Sequence, residues 1–324
     1  MVQPGKSIQA AIERAEEGAI ICLPAGTWEE NLKIEKSLTL RGIGQQKTVI
    51  KGKEEGYPAV WISSMKRVAV KVEGLAIAGA GGECADWHKG ICPDGLLIQG
   101  EAKVEITDST ISGNRRDGLS LWGSARAAII DSAISKNGHY GLWLWDSAQA
   151  EISGSTIAEN GFGMDDELDS DRDGIMLRNS ARMRITGSII SKNGHYGLWL
   201  SDSSQAEISG STVSQNRHGG IWLRDGAQAG INGSTISENR DGIQLWGRAR
   251  ATIVGNQIIR NRGYGVALYH RPCYDTAEVF LGHVSGRANI ISGPKELDGN
   301  SQRAVAVCPP ELEFLMTEEG GEYP

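Results

Sequence analysis

The sequence predicts an all-β solenoid, and three observations carry that prediction. A short glycine-led motif returns at a nearly constant interval. When the repeats are aligned, an isoleucine column and an asparagine column fall into register. Within each repeat, apolar residues alternate with polar ones at the period of an extended strand.

The motif is written most fully as Gly141-Leu142-Trp143-Leu144-Trp145-Asp146. It starts at Gly95 and returns at Gly118, Gly174, Gly197, Gly220, Gly242 and Gly265. The steps between successive glycines are 23, 23, 33, 23, 23, 22 and 23 residues. A fixed period of this size means stacked units that bury their apolar faces only against their neighbours. Length alone would suggest two domains, but the unbroken array overrides that and leaves one domain over residues 1–324.

A helix is expected over residues 7–17, N-capped by Ser7, with Ile8, Ala11, Ile12 and Ala15 as its apolar stripe and Gly18 as its stop. It belongs to a cap over residues 1–19, which the open end of a strand array needs. Two irregular first coils follow. From about residue 101 each coil carries three strand-like pieces, and the coils run over 20–270. Ile106, Ile129, Ile152, Ile185, Ile208, Ile231 and Ile253 make an inward column. Asn114, Asn137, Asn160, Asn193, Asn216, Asn239 and Asn261 make a second, whose amides can hydrogen-bond up the stack. The 33-residue step holds an acidic insertion at 161–173, and residues 271–324 read as an irregular tail packed on the solenoid.

Composition excludes some partners. The formal net charge of −7 lacks the basic footprint of a general nucleic-acid binder. No apolar run approaches a membrane span. Cys84 with Cys92, and Cys273 with Cys308, are two pairs that disulfides would join, which favours an oxidising compartment; the alternative is five free thiols. The start at Met1 is not a signal peptide, yet the expected location is secreted, periplasmic or at the cell surface, with the chain a monomer.

The repeat A-x-A-x-I-x-x-S-x-I-S-x-N-x-x-x-G-L-W-L-x-D-S resembles those of right-handed parallel β-helix proteins of the pectin-lyase-like superfamily. It is most similar to the NosD and carbohydrate-binding/sugar-hydrolase repeat group. The opening from Pro4 to Ile12 and from Leu23 to Trp28 resembles that superfamily's N-terminal cap. The resemblance implies a single-stranded right-handed parallel β-helix: three short parallel sheets, coils of about 23 residues, and a short N-terminal capping helix. It does not by itself imply an activity, because lyases, hydrolases, epimerases, adhesins and inert modules share this architecture.

Parity points to a binding face. With the leucines of each Gly-Leu-x-Leu unit inside, Trp122, Trp143, Trp145, Trp199, Trp222 and Trp246 face outward on one sheet, six of nine tryptophans. A contiguous apolar stripe of this kind marks a binding surface, and indoles suit a flat hydroxylated partner. Arg178 and Arg224 project beside them, with Arg115, Arg116, Arg217, Arg240 and Arg262 in the preceding turns. Guanidinium with indole points to an acidic polysaccharide; the alternative is arginines paired with Asp117, Asp225 and Asp241. As an enzyme, the protein is expected to be a polysaccharide lyase or C5-epimerase. Arg178 and Arg224 would neutralise the uronate, and His195, Tyr196 and His218 are the base candidates. Asp169, Asp171 and Asp173 before Gly174 resemble the start of a calcium loop, so Ca²⁺ is a possible cofactor. The other readings are a non-catalytic carbohydrate-binding or structural repeat module, a glycoside hydrolase, and a NosD-like copper-maturation protein. Asp202 and Asp225 stand one coil apart, but they share a turn position with Asp146 and Asn179 where Asx bonding is the ordinary explanation.

Overall fold

A computed structural model describes residues 1–3, 5–64, 66–162 and 172–269, together with the strands Glu278–Gly282, Ile290–Ile291 and Val305–Cys308. The described strands form three parallel sheets of eleven strands each, every strand pairing with the one three further along the chain. That connectivity is a parallel β-helix in which each coil contributes one strand to each sheet. The first coils are irregular in length, since Ala19 registers with Leu38, Leu38 with Val70 and Ala69 with Lys103, steps of 19, 32 and 34 residues, yet Ala19–Cys22, Gly26–Glu29 and Leu32–Ile34 already start the three sheets.

The capping helix spans Ile8–Arg14, ending before the glycine expected to stop it. Ser7 Oγ accepts from the Ala10 N–H, as an N-cap should, and donates to Glu30. Glu30 also accepts from the backbone N–H of Ile8 and Gln9, so one carboxylate ties the helix N-terminus to the first coil. Ile8 and Ile12 are buried against the end of the stack.

Inside the rod the period-2 expectation holds. The isoleucine column from Ile106 to Ile253 is buried throughout, as are Leu119, Leu121, Leu142, Leu144, Leu198, Leu200, Leu223 and Leu245. The asparagine column is a continuous ladder: the Nδ2 groups of Asn114, Asn137, Asn160, Asn193, Asn216 and Asn239 each donate to the next Oδ1 at 2.9–3.2 Å. A second ladder runs at the turn before it, through the hydroxyls of Ser109, Ser132, Ser155, Ser188, Ser211 and Ser234, which accept backbone N–H or bond nearby carbonyls. Asp146, Asn179, Asp202 and Asp225 all adopt left-handed backbone with φ of 59–61°, which short polar side chains tolerate best. Their column is explained by the turn, and no hydrolytic carboxylate pair is needed to account for it.

The C-terminal expectation needs correcting. Glu278–Gly282, Ile290–Ile291 and Val305–Cys308 pair in parallel with the preceding coil's strands, so the solenoid runs past residue 270 to Cys308. Cys84 and Cys92 are joined by a disulfide, and Cys22 is free. The expected Cys273–Cys308 bridge lies outside the described residues, as does most of the acidic insertion. Among the described residues no helix is long and apolar enough to cross a membrane.

Candidate functional site

The third sheet carries the tryptophans on its outer side, as parity requires, but Trp143 and Trp199 are buried and Trp122, Trp145, Trp222 and Trp246 are only partly exposed. Tyr140, Trp143, Met176 and Trp199 form a buried cluster of their own, separate from the rod's core, with Trp122, Trp145 and Trp222 packed on it. Trp143 is 7% exposed and Trp199 9%. The expected open stripe is therefore a second packed layer, because each ring shields its neighbours: Trp122 and Trp143 centroids are 5.1 Å apart, Trp143 and Trp145 5.5 Å, Trp199 and Trp222 4.6 Å. The indole N–H groups of Trp122, Trp143, Trp199 and Trp222 are buried without a hydrogen-bond partner.

One end of this layer is covered by the loop that the Cys84–Cys92 disulfide closes. Its Trp87 lies over the Arg116 guanidinium (4.2 Å), which also faces Trp143 (5.2 Å). Gly90 sits so close to Trp122 that a Cβ there would approach the ring to 2.5 Å. Below Arg116 lie two buried carboxylates, Asp94 and Asp117, on successive coils. Burial and the neighbouring Asp117 push Asp94 up to about 7. Burial also opposes ionisation of Asp117, yet Arg116 and His139 outweigh it and hold that carboxyl below the usual range.

The turn entering the third sheet uses one acceptor repeatedly. Asp117 Oδ1 accepts from the Tyr140 N–H (3.0 Å) and bonds His139 Nδ1 (2.8 Å). Asp173 Oδ1 does the same for Tyr196 N–H (2.8 Å) and His195 Nδ1 (3.1 Å). Asp241 Oδ1 accepts from the Tyr264 N–H (2.8 Å). Asp173, expected in a calcium shell, is thus fully buried and engaged in holding this turn; Asp169 and Asp171 lie outside the described residues. Among the described residues no group of three or more His, Cys, Asp or Glu stands ready for a metal.

The pattern breaks at Gly219, which stands where other coils place Asp or Tyr. The Tyr196 ring leans into that space, and its hydroxyl donates to Gln244 Oε1 at 3.1 Å. Gln244 Nε2 in turn donates to Asp241 Oδ2 at 2.7 Å. Beside them opens a concavity of about 650 Å³, lined among others by Tyr196, His218, Trp222, Arg224, Arg240 and Trp246. His218 packs against His195, ring centroids 4.3 Å apart. Burial first, then the charges of His195, Arg240 and Arg217, drive the His218 pKa down to about 4, so its imidazole is neutral at ordinary pH.

Three of the five residues expected to carry chemistry, Tyr196, His218 and Arg224, therefore meet in one concavity with Trp222 and Trp246. His195 backs His218 and is tied to Asp173. Arg178 stands apart, over the Trp145 ring (4.9 Å) and 3.8 Å from Asp202. Arg224 is hydrogen-bonded to Asp225 at 3.0 Å, yet its side chain remains 44% exposed. The link between Gln244 and Tyr196 has no signal in the linear sequence because it spans 48 residues.

Fold and sequence together define a right-handed parallel β-helix. The chain belongs to the family described as right handed beta helix region, whose model matches residues 85–170 and 167–286. Among solved structures it is similar to full-length tailspike protein 2 of Escherichia coli O157:H7 bacteriophage CAB120, with 11% identity, 92% of this chain and 43% of that one, and a TM-score of 0.54. It is similar to the ORF18 protein of Geobacillus virus E2 at 16% identity, 86% of this chain and 54% of that one, with a TM-score of 0.51. The Azotobacter vinelandii mannuronan C-5 epimerase AlgE4 A-module gives 17% identity over 88% of this chain and 95% of that one, with a TM-score of 0.48. No curated protein sequence matches. At these identities the likeness is one of fold.

Proposed function

We propose that this protein binds an acidic polysaccharide along the outer face of the third sheet. At the His218 concavity it would hold one uronate ring for proton abstraction next to its carboxylate. The observation that supports this best is the neutral His218 imidazole in a hollow walled by Trp222 and Trp246 and flanked by Arg224 and Arg240. The indoles offer flat faces to a sugar ring, and the guanidiniums offer paired donors to its carboxylate. Neutralising that carboxylate makes the adjacent C–H acidic, and His218 accepts the proton. The Tyr196 hydroxyl is the acid that would protonate either the departing glycosidic oxygen, giving elimination, or the opposite face of the ring carbon, giving epimerisation.

The test is incubation with alginate and polygalacturonate in D2O. Absorbance of a new double bond reports elimination, which leaves C5 without hydrogen, and deuterium at C5 reports epimerisation. Loss of either signal in His218→Ala with polymer binding retained supports the assignment. A wild-type protein that binds polymer and gives neither signal is a non-catalytic carbohydrate-binding module. The commitment of the Tyr196 hydroxyl to Gln244 favours that second reading.

A further inference from the structure

The turn Arg240-Asp241-Gly242 at the open concavity has an earlier copy, Arg116-Asp117-Gly118, five coils back along the same sheet. Both aspartates accept the N–H of the next coil's tyrosine, Asp117 from Tyr140 and Asp241 from Tyr264. Both turns lead to a tryptophan at the same outward position, Trp122 and Trp246, whereas a third Arg-Asp-Gly at 172–174 leads to Arg178. Arg240 is exposed, but the Arg116 side chain is only 11% exposed. The difference is the Cys84–Cys92 loop, which lies on the first copy. The 22-residue step from Gly220 to Gly242 leaves no room for such a loop at the other.

The covered copy is shaped to be filled. Its outward residues Leu97 and Ser120 pair across two coils, where the open copy has Trp222 and Gln244. Leu97 is fully buried although it points away from the core of the rod. Gly90 presses on Trp122, and Trp87 stacks on the Arg116 guanidinium at 4.2 Å. Both terminal nitrogens of Arg116 are buried without a hydrogen-bond partner, and so is Asp94 Oδ2. Asp117 does not serve them. Its Oδ2 is 3.9 Å from Arg116 Nη1 and accepts the Ser120 hydroxyl, while its Oδ1 is taken by His139 and Tyr140. A stacked indole meets the face of a guanidinium and leaves its N–H groups unmet, which a carboxylate would satisfy in pairs.

The loop is braced within itself, by the disulfide and by paired backbone bonds between Asp86 and Ile91 at 3.1 and 2.8 Å. It follows Gly81 and Gly82, and its ties to the rod include Ala85 N–H on the Gly56 carbonyl and Gln99 Nε2 on the Lys89 carbonyl. A unit held this way can lift without unfolding a strand.

We infer that the covered copy is a second subsite for an acidic sugar and that the disulfide loop is its plug, with Trp87 in the place of the sugar ring. When the loop lifts, Arg116 pairs with the sugar carboxylate, Trp122 and Trp143 take the ring, and Asp94 faces a hydroxyl. A sugar that binds only this arrangement holds it open. This rests on the polysaccharide-binding reading of the Arg240 concavity.

The experiment is calorimetric titration of the full chain with trigalacturonate and trimannuronate. Both are too short to span the roughly 24 Å that five coils put between the two subsites. Wild type should bind one equivalent and Trp87→Ala two. Adding Arg116→Gln to Trp87→Ala should remove the second equivalent and keep the first. The double variant Cys84→Ser, Cys92→Ser should also bind two, and it carries the test if Trp87→Ala does not fold. One equivalent in the opened variants, with the melting transition of the rod retained, overturns the plug and leaves the polysaccharide reading standing. Two equivalents in wild type overturn it as well, since the loop then blocks nothing. Binding by neither wild type nor the opened variants overturns both readings.

Discussion

The ring of Tyr196 occupies the place of a side chain at Gly219: a Cβ added to that glycine would lie 2.7 Å from both Cδ1 and Cε1 of the tyrosine. Gly219 is not in a left-handed conformation, so its role is to leave room. Gly219→Ala should therefore cost about 1–3 kcal/mol, as overpacking does. It should also swing Tyr196 off Gln244. Thermal melting checks the first effect. If the concavity is the working site, polymer binding or turnover should fall by more than the stability loss explains, while Gly233→Ala, at a left-handed turn position with nothing within 4 Å, tests backbone strain alone.

The fold was legible because one residue of each pair in the third sheet is aliphatic and every coil repeats the choice. Leu142 and Leu144 could only face inward, which placed Trp143 outside. What covers Trp143 was not legible. Trp87 reaches it from a disulfide-closed loop, and parity within a strand says nothing about a chain segment laid across it. The last coil is hidden in the sequence because Val305–Cys308 lacks the glycine that leads the third-sheet repeats from Gly95 to Gly265. The Arg-Asp-Gly and His-Tyr-Gly turns were written in the sequence. Their coupling was hidden, since the bonds join residues about a coil apart, such as His139 and Asp117.

The asparagine ladder makes a sharper stability prediction than any surface contact. Asn193 Oδ1 accepts from both the backbone N–H and the Nδ2 of Asn160, each at 3.1 Å. Asn193→Ala leaves both buried donors without that acceptor, which should cost about 2–4 kcal/mol. Denaturant unfolding of the whole chain is the measurement. A loss no larger than that of an exposed substitution such as Lys192→Ala would mean that water replaces the missing acceptor.

Asp94 predicts a pH dependence. Its folded-state pKa is raised from 3.8 to about 7, so the native state binds more protons than the unfolded state between those values. Its contribution to stability is thus present below about pH 4 and is lost as pH rises through about 7. Asp94→Asn keeps an oxygen for the Asp117 N–H and cannot ionise. The variant's melting temperature should gain on wild type as pH increases across that range. A constant difference at every pH would show that Asp94 is not the titrating group.

His218 has the opposite sign. Its pKa is lowered from 6.5 to about 4, so between those values the unfolded state binds the extra proton. The contribution of the neutral imidazole is full above pH 6.5 and declines as pH falls toward 4. His218→Gln, which does not titrate, should lose less stability than wild type over that interval. The same group reports on the ligand, because Arg240 and Arg217 are among the charges that depress it. An acidic oligosaccharide seated in the concavity offsets that field while burying the ring further, so the His218 ring proton followed by NMR should shift its titration when the sugar binds. An unchanged titration in the presence of a bound oligosaccharide would place the anion elsewhere on the face, since a carboxylate against Arg240 cannot leave the neighbouring imidazole unaffected.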